Sequence, residues 1–129
     1  MGRYYNGDIE GKFWFGVQSS DDGEFFGARE LEPSYVTYQV EDIKEVEDGL
    51  ERCRKMLGED KQRLDDFFDS LQHGYNDEMI IHWYMQKYKK IINNEDVKNM
   101  LEWYARLGLG EKIHKCMLEN EFCEFNAEL

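Results

Sequence analysis

The chain has 129 residues, 41% of them hydrophobic and 15% aromatic, which excludes a disordered chain and suits one domain over 1–129 with its own core. Its 28 acids against 16 bases give a net charge of −12. Such a chain is repelled by phosphate backbones and anionic lipid, so direct nucleic-acid or membrane binding is disfavoured and basic protein surfaces are favoured.

Residues 1–40 carry −4 (seven acids, three bases), 41–74 carry −5 (eleven, six) and 75–129 carry −3 (ten, seven). The excess is spread along the chain, so it is not an acidic tail. The start, "MGRYYNGDIE", lacks the apolar core of a signal peptide, and Asn6 stands where myristoylation wants Ser or Thr. No later stretch approaches the length of a membrane span. The expectation is a soluble, cytoplasmic protein.

The segment "RYYNGDIEGKFWFGVQSSDDGEFFGARE", Arg3 to Glu30, gathers seven aromatics, five glycines and six acids without a proline. Alternation puts Tyr5, Ile9, Phe13, Phe15 and Val17 on one strand face, turned to a core. Tyr4, Asn6, Asp8, Glu10, Lys12, Trp14 and Gln18 fall on the other. "YNGD" and "DDGE" read as turns, because Asn-Gly and Asp-Gly supply positive φ cheaply. After Pro33, the single proline, "SYVTYQV" alternates and is rich in β-branched and aromatic residues, which predicts a further strand.

From Glu41 the period becomes helical. Ile43, Val46, Leu50, Cys53 and Leu57 form one stripe, with Gly58 placed to end it. A second helix runs from about Glu59, with Leu64, Phe67, Phe68 and Leu71 inward and Gly74 after it. Asn76 caps a third, with Asp77 and Glu78 in its first turn and Ile80, Trp83, Tyr84, Lys87 and Ile91 along it. "MIIHWYMQ" also alternates like a strand, so residues 79–86 fit either form. Asn94 caps a fourth helix, with Val97, Met100, Leu101 and Tyr104 inward, ending at Gly108. A fifth begins near Gly110 with Ile113, Cys116 and Met117, and the tail "EFCEF" suits a short edge strand or a frayed end. The sum is an α+β fold: an antiparallel sheet of about three strands over residues 3–40, packed against about four or five C-terminal α-helices.

Cys53, Cys116 and Cys123 form no CxxC pair, which suits reduced thiols. Among these and His73, His82 and His114, only His114 and Cys116 are close in sequence. They lie about 200° apart on a helix, so no zinc site follows. No catalytic or cofactor motif appears, and no cofactor is expected.

The candidate ligand- or partner-binding residues are Asp8, Glu10, Trp14, Gln18, Asp21 and Asp22, the polar face and turn acids that the core does not explain. Trp14 could anchor a partner with the carboxylates as a rim. Alternatively, with Tyr35 or Tyr38 and Gln18, it could hold the ring of a small ligand such as a nucleotide or metabolite. Thirdly, Asp8, Glu10, Asp21 and Asp22 could hold a divalent cation for hydrolysis, although phenylalanine and tryptophan stand where EF-hand ligands should sit. A solvated sheet face with turn-forming acids explains the same residues equally well. Pairing across a two-fold axis would give Trp14 a structural role instead.

Two further stretches bear on partners. Lys87, Lys89 and Lys90 interleave with aromatics in "HWYMQKYKK", a pattern that could stack bases but more simply balances nearby acids. Asp42, Glu45, Glu51, Glu59, Asp65, Asp66 and Asp69 lie on helices and could imitate a phosphate array, which extends the basic-surface reading to nucleic-acid mimicry. The leading expectation is therefore a non-enzymatic acidic binding protein.

"RYYNGDIEGKFWFGVQSSDD" resembles the N-terminal segment of small proteins from phages and large DNA viruses. The resemblance implies a viral accessory role, countering a host defence by binding a basic host protein or sequestering a small signal. It assigns no site residues.

Overall fold

In the computed structural model, which describes residues 3–14, 17–32, 37–72 and 74–127, five strands form one antiparallel sheet with helices on one face. The strands are β1 (Arg3–Gly7), β2 (Gly11–Phe13), β3 (Arg29–Glu32), β4 (Thr37–Val40) and β5 (Cys123–Ala127), in spatial order β2-β1-β5-β4-β3. The helices are α1 (Ile43–Leu57), α2 (Asp60–Ser70), α3 (Asp77–Tyr88) and α4 (Asn94–Asn120), with a 3-10 turn at Asp22–Phe26. The fold is thus α+β as expected, with four strands before Val40 rather than about three. Phe15, Pro33, Ser34, Tyr35, Val36 and His73 lie outside the described residues.

The tail, expected at an edge or frayed, is the middle strand. β5 pairs with β1 on one side (Asn6 opposite Asn126) and with β4 on the other (Tyr38 opposite Phe125). Its alternation explains the placement: Cys123, Phe125 and Ala127 are buried, whereas Asn126 faces solvent. Only pairing across the whole chain could supply that strand with two neighbours. Tyr5, Phe13, Tyr38, Val40 and Phe125 complete the buried face, with Phe125 stacked on Tyr38 at 5.9 Å.

Two turn expectations are revised. Asn6 and Gly7 stay in β1, and the chain reverses after Gly7, whose φ of 132° needs glycine. "DDGE" opens the 3-10 turn, which ends at left-handed Gly27. The turn delivers Phe26, wholly buried, between two helices. A Cβ at Gly49 of α1 would come within 2.7 Å of the Phe26 ring, and one at Gly110 of α4 within 2.3 Å. Gly110 is therefore a point of close approach inside α4, not the start of a fifth helix. Gly108 meets nothing within 4 Å, and packing on either side carries the 27-residue helix past it.

The N-terminal ends of α1, α3 and α4 are capped by short polar side chains. Asp42 accepts from the Lys44 N–H, and Asn76 accepts from the Met79 N–H. Asn93, rather than Asn94, caps α4 in a reciprocal box with Asp96. Residues 79–86 are helix, resolving their ambiguity. That helix stops at Tyr88 with Lys89 left-handed at φ 54°, so Ile91 leaves the stripe and is 81% exposed while Ile92 turns inward. Among the described residues no helix is long and apolar enough to cross a membrane.

Candidate functional site

Trp14, Val17 and Gln18 do not continue β2 as a strand. The N–H groups of Val17 and Gln18 both donate to the Trp14 carbonyl, at 3.1 and 2.9 Å, so the chain folds back at Trp14. Strand parity fails from this point, with a direct consequence for Gln18. Expected on the solvent face, it is only 5% exposed. Its Oε1 accepts from the Trp14 N–H at 3.2 Å, and its Nε2 donates to Asp22 at 2.9 Å and to the Ala105 carbonyl at 3.3 Å.

Asp22 is buried as well and accepts from Arg106 Nε at 2.7 Å. The Arg106 guanidinium lies over Phe25 and Trp103, 5.0 and 4.7 Å from the ring centres, and also reaches Glu102 at 3.3 Å. Burial works against its charge, but the Asp22 hydrogen bond and charge outweigh this and raise its pKa. Gln18, Asp22 and Arg106 form a closed polar node that ties the loop after β2 to α4. Each buried polar atom it satisfies would otherwise carry a desolvation penalty. The node is scaffold.

Trp14 takes a different environment. Its indole meets Phe68 edge-on at 5.5 Å, Tyr104 at 5.8 Å and Tyr75 at 6.2 Å. Phe68 and Tyr104 stack at 5.5 Å, so the loop after β2, α2 and α4 share one aromatic cluster. The Tyr104 hydroxyl donates to Asp65 at 2.6 Å, and Asp65 also takes Lys61 at 2.5 Å. Burial opposes ionisation of Asp65, yet the hydrogen bonds from Lys61 and Tyr104 hold its carboxyl below the ordinary 3.8. The Tyr104 phenol is raised by burial and by the same carboxylate.

One side of Trp14 opens into a cleft of about 1160 Å³, between β2 and the N-terminal ends of α3 and α4. Trp14 and Tyr75 supply aromatic walls, and Leu101 and Val17 supply aliphatic surface. The charged groups around it are Lys12 and Lys98 against Asp77, Glu95 and Glu102. Tyr75 is 37% exposed, and burial and then the neighbouring Asp77 charge raise its phenol pKa.

The remaining sequence candidates lie elsewhere. Asp8 accepts from the Glu124 N–H at 3.1 Å and so closes the end of β5. Glu10 is exposed, with its backbone carbonyl taking Lys112 at 3.2 Å. Asp21 is exposed and accepts from the Ser19 hydroxyl. The six residues are therefore not one face: Trp14 lines the cleft, Gln18 and Asp22 sit in the node, and Asp8, Glu10 and Asp21 are peripheral. Among the described residues no three His, Cys, Asp or Glu side chains gather as a metal site. All three cysteines are free and buried. Burial pushes the Cys53 thiol up to about 11, and burial and then a hydrogen bond with Cys116 raise Cys123.

Sequence reasoning missed Tyr75, Arg106 and the meeting of two helix starts at Trp14. Arg106 lies four residues beyond Glu102 on α4, a spacing that reads as an ordinary helix-surface pair. Its main partner is 84 residues away, and no local signal announces it. Compared with known proteins, the chain matches no family model, no curated protein and no solved structure.

Proposed function

We propose that the protein is a non-enzymatic binding protein that engages a basic surface of another protein. In the setting that the N-terminal resemblance implies, it is a viral accessory or anti-defence protein working in the host cytoplasm. The observation that carries this reading is the charge left outward: a net −12, with Glu41, Asp42, Glu45, Glu51, Glu59 and Asp69 all exposed. The ion pairs that form are largely between neighbours on one helix, such as Lys44 with Asp48 and Arg63 with Glu59, so they leave the overall excess in place. Nucleic-acid mimicry is the weaker form of this reading. The outer side of α1 interleaves Glu47, Asp48 and Glu51 with Lys44, Arg52 and Lys55, and Asp65 is occupied by Lys61 and Tyr104.

The test is a pull-down from host lysate at low and high salt. A basic partner released as salt screens the attraction is expected, and a salt-insensitive partner, or none, refutes the reading. A second reading, a small-ligand binding protein, draws on the size of the cleft and the indole beside it. It uses Trp14 with Tyr75, because Gln18 is committed to the node. Native mass spectrometry after exposure to lysate would show a retained nucleotide or metabolite, and persistently ligand-free protein would remove it.

A further inference from the structure

The cleft at Trp14 has two features that together specify an occupant. The first is what its rings lack. Arg and Lys side chains of this chain already cover several other aromatic rings near the surface: Lys87 lies 4.4 Å from Trp83, Arg106 lies 4.7 Å from Trp103, Arg63 lies 4.6 Å from Tyr88, and Lys12 lies 5.9 Å from Tyr4. Of the three tryptophans, Trp14 alone has no cation over its ring among the described residues, and Tyr75 beside it has none either. Lys12, one of two lysines on the cleft wall, is turned to Tyr4.

The second feature is the sign of the field. Asp77 and Glu95 line the cleft without an ion-pair partner among the described residues, and Glu102 shares Arg106. Glu78 and Asp96 follow Asp77 and Glu95 in the same first helical turns. Of the groups that line the cleft itself, three carboxylates (Asp77, Glu95 and Glu102) stand against Lys12 and Lys98, a side-chain balance of −1. The two helix N-termini add positive partial charge, and each has one terminal N–H taken by its cap, that of Met79 by Asn76 and that of Asp96 by Asn93. Asp77 and Glu95, the two carboxylates without an internal cation, favour a cationic occupant.

We propose that this cleft is the seat for a Lys or Arg side chain, presented by a short basic segment of a partner protein, with the cation over Trp14 and Tyr75 and paired with Asp77 and Glu95. A volume of about 1160 Å³ holds a few residues of extended chain rather than one side chain. The indole and phenol faces attract a cation through their quadrupoles, and the carboxylates neutralise it at the cleft mouth. This rests on the reading that the protein binds a basic partner, and adds where and how.

The experiment titrates the whole protein with an acetylated tetra-arginine peptide, a tetra-citrulline peptide of similar shape without the charge, and ATP, at low and high salt. Binding of tetra-arginine with quenching of tryptophan fluorescence is expected, together with weak or no binding of the other two. Glu95→Gln, at an exposed position, should keep the melting temperature, Tyr75→Ala should stay folded with a lowered one because its ring packs on Phe68, and both should bind tetra-arginine roughly tenfold more weakly. If both variants bind it as the parent does, the cleft is refuted while a diffuse basic-partner reading survives. If the parent shows no salt-sensitive tetra-arginine binding, both fall. If ATP binds and Tyr75→Ala abolishes it, the cleft belongs to an anionic ligand and the proposal is wrong.

Discussion

The polar node at Gln18, Asp22 and Arg106 and the cleft at Trp14 are built from the same short loop and the same helix, yet they use their chemistry in opposite ways. In the node each charge meets its partner inside the chain: the Asp22 side chain is 5% exposed and that of Arg106 is 16% exposed, and the guanidinium is flanked by two aromatic rings. In the cleft the carboxylates of Asp77 and Glu95 and the faces of Trp14 and Tyr75 have no such partner among the described residues. Carboxylates and aromatics thus act as scaffold where the cation is internal and stand ready for binding where it is not. Neither composition nor spacing separates the two cases. Burial and partner do.

The largest effect expected from this contrast is on stability. Arg106→Ala leaves Asp22 charged and buried, and should cost about 3–5 kcal/mol in chemical denaturation. A paired change, Arg106→Met with Asp22→Leu, should recover much of that loss because no buried charge is stranded. A loss for Arg106→Ala of the size seen at exposed sites would mean the node is not structural, and the contrast would collapse.

Next in size is the close approach that holds α4 against α1 and the 3-10 turn. Gly110→Ala places a methyl 2.3 Å from the Phe26 ring and should cost about 1–3 kcal/mol through overpacking. Gly108→Ala, with nothing within 4 Å, should be stabilising by up to about 1 kcal/mol through helix propensity. Thermal denaturation of the two variants should therefore move in opposite directions, and a shared direction would refute the packing account.

Tyr104 backs the cleft, touching Trp14 with its ring and Asp65 with its hydroxyl. Tyr104→Phe should cost about 1 kcal/mol at neutral pH. Asp65 has its folded pKa below the ordinary 3.8, so its stabilisation is complete above that value and disappears as pH falls through the folded one. The cost of Tyr104→Phe should shrink over that acid range when unfolding is followed against pH. A penalty constant with pH would mean the hydroxyl does not hold the ionised form. Tyr75→Ala should cost about 1–2 kcal/mol, since its ring packs on Trp14, Phe67 and Phe68, and Glu95→Gln, smallest of all, should change stability by no more than about 0.5 kcal/mol.

The sequence revealed what local period encodes. The α1 stripe of Val46, Leu50, Cys53 and Leu57 is buried as its spacing requires, and Asn76 caps α3 as its position before Asp77 suggests. Reading failed where the deciding contact is distant. β5 is central because β1, more than a hundred residues earlier, pairs with it (Asn6 opposite Asn126). Gln18 is buried because Ala105, 87 residues away, accepts from it. The candidate site was legible to the extent that Trp14 was singled out as unexplained by the core. Its neighbours there, Tyr75, Asp77 and Glu95, came from helix starts that looked like caps and nothing more.

The most direct measurement is a two-dimensional NMR titration of the labelled protein with the tetra-arginine peptide, following the indole N–H of Trp14 together with the side-chain N–H groups of Gln18 and Arg106. The account predicts that the Trp14 indole and the backbone amides of Tyr75, Asp77 and Glu95 shift progressively, while the Gln18 and Arg106 signals stay in place. Shifts spread evenly over the acidic helix surfaces, with Trp14 unmoved, would contradict it.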